Sequence, residues 1–147
     1  MSEIKKFVYM NRKAPYGTVY ALESLEVVLI GAAFEQDVQL VFVDDGVYQL
    51  TRGQSTEGIG MKNFSKTYSA LGDYDVNKIY IDEQSLKDRG LTMDDLQHLT
   101  YEDEDDDWAE KSSMNLVTRE EFEVQSAVLQ RTREKLEQLE KQLEKLK

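Results

Sequence analysis

Asp37-Val38-Gln39-Leu40-Val41-Phe42-Val43-Asp44-Asp45-Gly46-Val47-Tyr48-Gln49-Leu50 sets a short apolar run against two carboxylates and a glycine. Val38 to Val43 is nearly continuous in apolar character, as a strand is when helices cover both faces of a parallel sheet. The run stops at Asp44-Asp45-Gly46, the composition of a polar turn. In an open α/β sheet, loops gather at the carboxyl ends of the strands, where ligands and partners meet the fold. The turn is therefore the first place to look for a site.

Working outward, Phe7-Val8-Tyr9-Met10 reads as an earlier strand, and the segment from Asn11 to Thr18, with the single proline, reads as a loop. From Val19 the pattern turns helical. Leu22, Leu25, Leu29 and Ala32 recur at three- and four-residue spacing, and Val28 and Ala33 widen the stripe. Strand, helix, strand with short connections implies a right-handed crossover. Thr51 to Gly60 reads as a glycine-rich loop, and Met61 to Leu71 as a second helix closed by Gly72. Lys78 to Ile81 is a third strand, Ser85 to Arg89 a short helix stopped by Gly90, and Gln97 to Tyr101 a fourth strand. Asn115-Leu116-Val117 is a further short strand or an approach segment. The fold class is α/β: a small, mainly parallel sheet flanked by helices, followed by a long C-terminal helix.

That helix has a marked start. Thr118-Arg119-Glu120-Glu121 is a capping box, and Val117 and Phe122 stand where a hydrophobic staple forms. Helix from there to residue 147 would be roughly 44 Å long at 1.5 Å per residue. Phe122, Leu129, Leu136 and Leu143 fall at seven-residue intervals, and Thr132, Leu139 and Leu146 form a second such series. These are the a and d positions of a coiled-coil heptad, with Leu129, Leu136, Leu139, Leu143 and Leu146 as the seam. A helix folded back on its own domain would show a wider apolar stripe. The division expected is an α/β domain over 1–117 and a helical extension over 118–147.

Composition narrows the function. Cysteine is absent from all 147 residues, which removes disulfides, thiolate metal sites and sulfur nucleophiles. The single histidine, His98, cannot build a multi-histidine metal site, and a Ser-His-Asp triad would have to use it. The formal charge of −11 argues against direct binding to nucleic acid or an anionic membrane. No apolar run nears the ~18 residues of a membrane span, and the first residues lack a signal-peptide core, so a cytoplasmic location is expected.

Charge is unevenly placed, with ten acids against Lys111 and Arg119 over 102–123. Six of those acids run from Glu102 to Asp107. They lack the central glycine and twelfth-position glutamate of an EF-hand, and read as a solvated acidic loop. Nothing fixes two of them at the separation glycoside hydrolysis needs. Asp44, Asp45 and Asp82 could serve as an acid or base, but strand-end aspartates more often cap turns and helices. Gly58-Ile59-Gly60 lacks the third glycine and preceding strand of a dinucleotide site. No catalytic, cofactor-binding or metal-binding residue is assigned.

Residues 4 to about 123 resemble the DsrE/DsrF-like sulfur-relay family, most closely its DsrF (TusC-like) branch. The resemblance rests on Lys6-Phe7-Val8-Tyr9-Met10, Ala14-Pro15-Tyr16-Gly17-Thr18, Asp45-Gly46-Val47-Tyr48-Gln49-Leu50, Leu71-Gly72-Asp73-Tyr74 and Ser85-Leu86-Lys87-Asp88-Arg89-Gly90-Leu91, in that order. It implies assembly with DsrE-like and DsrH-like subunits as a two-of-each heterohexamer that passes persulfide sulfur in sulfur oxidation or toward tRNA thiolation. In the DsrE-like partner the sulfur-carrying cysteine lies a few residues before an Arg-Gly pair at a strand end. Counting back from Arg89-Gly90, the matching position here is Asp82. A carboxylate cannot hold a transferable sulfur atom, so the resemblance implies a non-carrying subunit with no cofactor. Tyr16, Tyr48 and Leu50 are the candidate subunit contacts.

The pattern departs from the branch at its end. Members usually close with a short apolar strand, whereas Val124 to Gln130 here leads into the heptads. Either the tail replaces that strand or it is a fused or engineered coiled coil. A self-assembling scaffold, a homo-oligomer held through the C-terminal helix, is the rival reading.

Overall fold

The structure, a computed structural model, describes residues 3–102 and 110–146. The acidic run expected to be a solvated loop lies mostly outside them, as does the Phe122 side chain of the expected staple. The chain forms two compact units, Met1–Leu116 and Val117–Lys147.

In the first unit, β1 (Lys6–Asn11) leads into α1 (Tyr20–Ala33) and β2 (Asp37–Phe42). β3 (Lys78–Asp82) runs directly into α2 (Glu83–Asp88). The short strands β4 (Thr100–Glu102), β5 (Glu110–Ser112) and β6 (Met114–Val117) follow. The main sheet has the order β1-β2-β3-β6, and β1, β2 and β3 pair in parallel. In register, Tyr9 stands beside Leu40 and Leu40 beside Ile79, so alternate residues build one continuous apolar face. On that face α1 buries Ala21, Leu25, Val28 and Ala32, and Tyr68 meets Phe42 edge-on at 6.2 Å.

Several expectations need correction. Of the stripe expected on α1, Leu25, Val28 and Ala32 are buried and Leu22 and Leu29 are half-buried against the core, while Ala33 is exposed and Ala21 joins the buried set. Helices do not cover both faces of the sheet at its first strand, where Val8 and Met10 stay exposed. The helix expected over Met61–Leu71 is a 3-10 helix over Ser65–Tyr74, and Gly72 lies inside it. The left-handed residue that ends it is Asp75, with φ 59°. Gly72 answers to packing: a Cβ there would sit 2.7 Å from the Thr100 carbonyl oxygen. The fourth strand begins only at Thr100 and pairs antiparallel with β5 in a separate two-stranded sheet.

The second unit consists chiefly of α3 (Arg119–Lys145). Its capping box forms as read: Glu121 N–H donates to Thr118 Oγ1 at 3.3 Å, and Thr118 N–H donates to Glu121 Oε2 at 3.0 Å. Leu129, Leu136, Leu139, Leu143 and Leu146 are each more than half exposed. Among the described residues, no helix is long and apolar enough to cross a membrane.

Candidate functional site

The carboxyl ends of β1, β2 and β3 converge as the sequence suggested, but Asp44 to Leu50 is more than a turn. It winds into a 3-10 helix, opened by Gly46 N–H donating to the Val43 carbonyl at 2.9 Å. Asp44 takes a left-handed φ of 51°, which an aspartate tolerates better than most residues. Gly46 is required by space: a Cβ there would fall 1.9 Å from the Asn11 carbonyl oxygen at the end of β1. The helix thus lies directly on the strand end, and it buries Val47, Gln49 and Leu50 beneath it.

Asp82 closes β3 and N-caps α2, accepting the Ser85 N–H at 3.1 Å and the Ser85 hydroxyl at 2.5 Å. The same hydroxyl accepts the Asp44 N–H at 2.8 Å. A single fully buried serine therefore ties the end of β2 to the end of β3. Around it the charges are paired: Arg12 lies 3.2 Å from Asp44, and Arg89 donates to Asp45 Oδ1 from Nε at 3.0 Å and Nη2 at 2.9 Å. Arg89 also donates to the Ser85 carbonyl at 3.1 Å, and its guanidinium stands 5.9 Å from the centre of the Tyr48 ring.

Beside this cluster is an open depression of about 330 Å³ lined by Pro15, Tyr16, Tyr48, Thr51 and Gln54. Tyr16 donates to Gln54 Oε1 at 2.6 Å with Asn63 Oδ1 at 3.0 Å, and Gln54 Nε2 returns to the Thr51 carbonyl at 2.8 Å. Partial burial raises the Tyr16 hydroxyl pKa against a smaller opposing hydrogen bond with the Phe64 backbone. Deeper, Tyr68 donates to Gln49 Oε1 at 2.5 Å and Gln49 Nε2 donates to the Lys13 carbonyl at 2.8 Å. Burial first, and the nearby Tyr16 second, raise the Tyr68 pKa strongly.

Of the sequence candidates, Tyr16 and Tyr48 share this depression, and Tyr48 is exposed enough to meet a partner. Leu50 is corrected: it is fully buried in the core and presents no surface, because the 3-10 winding turns it inward. His98 is exposed. Among the described residues no group of three or more His, Asp or Glu could hold a metal ion, and no buried side-chain nitrogen or oxygen lacks a hydrogen-bond partner. The arrangement is a satisfied polar scaffold. Sequence reading passed over Ser85, Gln49, Gln54 and the ion pair of Arg89. Only Ser85 carried a local signal, an aspartate three residues before it at a helix start.

Residues 5–124 match the model of the DsrE/DsrF-like family. The chain belongs to that family. It is 70% identical over 104 residues to the intracellular sulfur oxidation protein DsrF of Allochromatium vinosum, covering 70% of this chain and 76% of that one. It is also 34% identical to a TusC homolog of Vibrio vulnificus, over 63% of this chain and 79% of the relative. Among solved structures, the ychN protein of E. coli shares the fold with a TM-score of 0.59 at 18% identity, covering 85% of this chain and 93% of that one. Residues 110–147 match a second family model, described as membrane fusogenic activity. That match takes in β5, β6 and α3 and overlaps the end of the first.

Proposed function

We propose that this chain is a non-catalytic structural subunit of a cytoplasmic sulfur-relay complex, assembled with DsrE-like and DsrH-like partners as a two-of-each heterohexamer. The observation that carries the reading is Asp82. It stands at the end of β3 where the family's carrier cysteine is expected in the partner, and its carboxylate is engaged as the cap of α2 in a chain with no cysteine. The strand-end aspartates are likewise engaged with Arg12 and Arg89, as befits a surface that shapes contacts. Tyr16 and Tyr48 offer the partner an aromatic rim around an open depression. The functional division is residues 1–117 for the relay and 118–147 for an added association role, with no nucleic acid or membrane bound directly.

Co-expression with DsrE-like and DsrH-like subunits tests this. Co-purification in fixed stoichiometry, with sulfur adducts found by intact-mass measurement on the partners and none on this chain, is the expected result. Failure to co-purify, or a complex whose partners take up sulfur equally well when this chain is omitted, contradicts it.

A second reading rests on α3. With Leu129 at an a position, Lys135 falls at g and Glu140 at e, a pair that attracts across a parallel, in-register coiled coil. Thr132 at d spends its hydroxyl on the Val128 carbonyl at 2.9 Å, so burial in a seam would leave no orphan donor. Self-association through this helix would then add to, or replace, the hexamer. Deleting residues 124–147 should reduce the mass seen by light scattering; an unchanged mass rules it out.

A further inference from the structure

α1 is apolar on the wrong side as well as the right one. Its inward stripe, Ala21, Leu25, Val28 and Ala32, packs on the sheet. A second stripe, Tyr20, Val27, Ile30 and the adjoining Phe34, repeats at the seven-, three- and four-residue spacings of one helical face. All four of these side chains are exposed, at 61%, 47%, 56% and 73%. A helix that is apolar all round belongs in an interior, and an exposed run of large apolar side chains marks an interaction surface.

Charge identifies the kind of surface that covers it. From Tyr20 to Ala33 the helix carries Glu23 and Glu26 and no lysine, arginine or histidine, and Glu35 follows just beyond its end. A second copy docked through the same face would bring these carboxylates toward their own copies without a cation from either helix. The imbalance extends to the whole unit, since residues 1–116 hold 22 acidic and 11 basic side chains while residues 117–147 hold seven of each. Two such units repel at ordinary ionic strength.

We infer that the outer face of α1 is the docking surface for a different chain, whose complementary face is apolar and rimmed by lysine and arginine. The inference rests on the reading of this protein as a sulfur-relay subunit and adds to it which face meets a partner and what that partner must present. The apolar stripe supplies most of the contact, and Glu23 within it, three residues from Tyr20 and four from Val27, together with Glu26 at its edge supplies the carboxylates that select against self-pairing.

The full chain, co-expressed with DsrE-like and DsrH-like subunits, provides the test. Val27→Asp and Ile30→Asp should each cut recovery of the complex by about tenfold or more, the loss expected when a charge enters an interface centre, with the thermal midpoint of the free chain unchanged. Glu23→Lys combined with Glu26→Lys should weaken the complex and reverse its sensitivity to salt. Amide exchange over residues 20–34 of the unmodified chain, with and without the partners, reads the same face without substitution and should slow in the complex. If the wild-type chain assembles while the Asp variants assemble equally well and exchange is unaltered, the docking face is wrong and the relay reading stands. If the wild-type chain does not assemble at all, both fall. A complex tightened by the two lysines, or a homo-oligomer lost on Ile30→Asp, overturns the choice of a basic-rimmed partner.

Discussion

Replacing Gly46 with alanine probes the contact on which the strand-end site is built. The glycine has no left-handed φ, so the substitution carries a steric cost and no conformational one. An added Cβ would stand 1.9 Å from the Asn11 carbonyl oxygen and 2.6 Å from its carbonyl carbon. Even a favourable C–H···O contact is held at roughly 3.3 Å, so the end of β1 and the 3-10 helix must separate by about 1.4 Å. That movement strains the bond from Val43 N–H to the same Asn11 oxygen, now 3.0 Å long. Overpacking costs about 1–3 kcal/mol and a buried group left without its partner about 1–3 kcal/mol, which together give roughly 2–6 kcal/mol, centred on about 4 kcal/mol. At an m-value of about 2 kcal/mol per molar, the urea midpoint should fall by roughly 2 M. Near-ultraviolet circular dichroism of the buried tyrosines reads the transition. Gly58→Ala is the control, since a Cβ there meets nothing within 4 Å; its midpoint should hold or rise slightly. A Gly46→Ala midpoint within about 0.5 M of wild type would refute the reasoning.

Three further outcomes follow from the same geometry. Ser85→Ala removes the hydroxyl that bridges Asp82 and the Asp44 N–H inside the core, and should cost about 2–3 kcal/mol in urea unfolding while Ser85→Thr and Ser85→Cys fall between. Thr118→Ala breaks the capping box of α3 and should cost about 1 kcal/mol of helix stability, seen as lower helicity on warming. The Tyr68 pKa is raised above the ordinary value near 10, so the folded state holds that proton longer than the unfolded chain does. Its contribution is complete below pH 10 and declines above it. Ultraviolet titration of the eight tyrosines should show one ionising only as the fold opens, and that late step should vanish in Tyr68→Phe.

How much of this was legible in the chain depends on whether the deciding contact was local. The strand from Val38, the stop at Gly90 and the cap at Thr118 are fixed by residues within a few positions of one another, and the sequence declares them. The inward face of α1 was legible from its periodicity, since Leu25, Val28 and Ala32 are buried and Leu22 and Leu29 pack at the edge of the core, whereas the second apolar stripe of Tyr20, Val27 and Ile30 passed unremarked. Gly72 was read as a helix cap because a cap is the common local reason for a glycine, whereas the Thr100 carbonyl that demands it lies 28 residues away in the chain. Leu50 looked like a surface candidate until the 3-10 winding of Asp44 to Leu50 turned it inward. The pairing of Arg89 with Asp45 spans 44 residues and carries no one-dimensional signal. Asp82, by contrast, was legible in part: a strand-end aspartate more often caps a helix, and this one caps α2, although its partner Ser85 went unread.

The central claim is that this chain shapes a sulfur-relay assembly without carrying sulfur. Native mass spectrometry of the full chain co-expressed with DsrE-like and DsrH-like subunits, loaded with a persulfide donor, addresses it directly. The account predicts a single assembly with two copies of each subunit, in which added sulfur is released with the DsrE-like chain on dissociation and this chain keeps its unmodified mass. A chain that remains apart from both partners, or partners that assemble and load sulfur equally well without it, would contradict it.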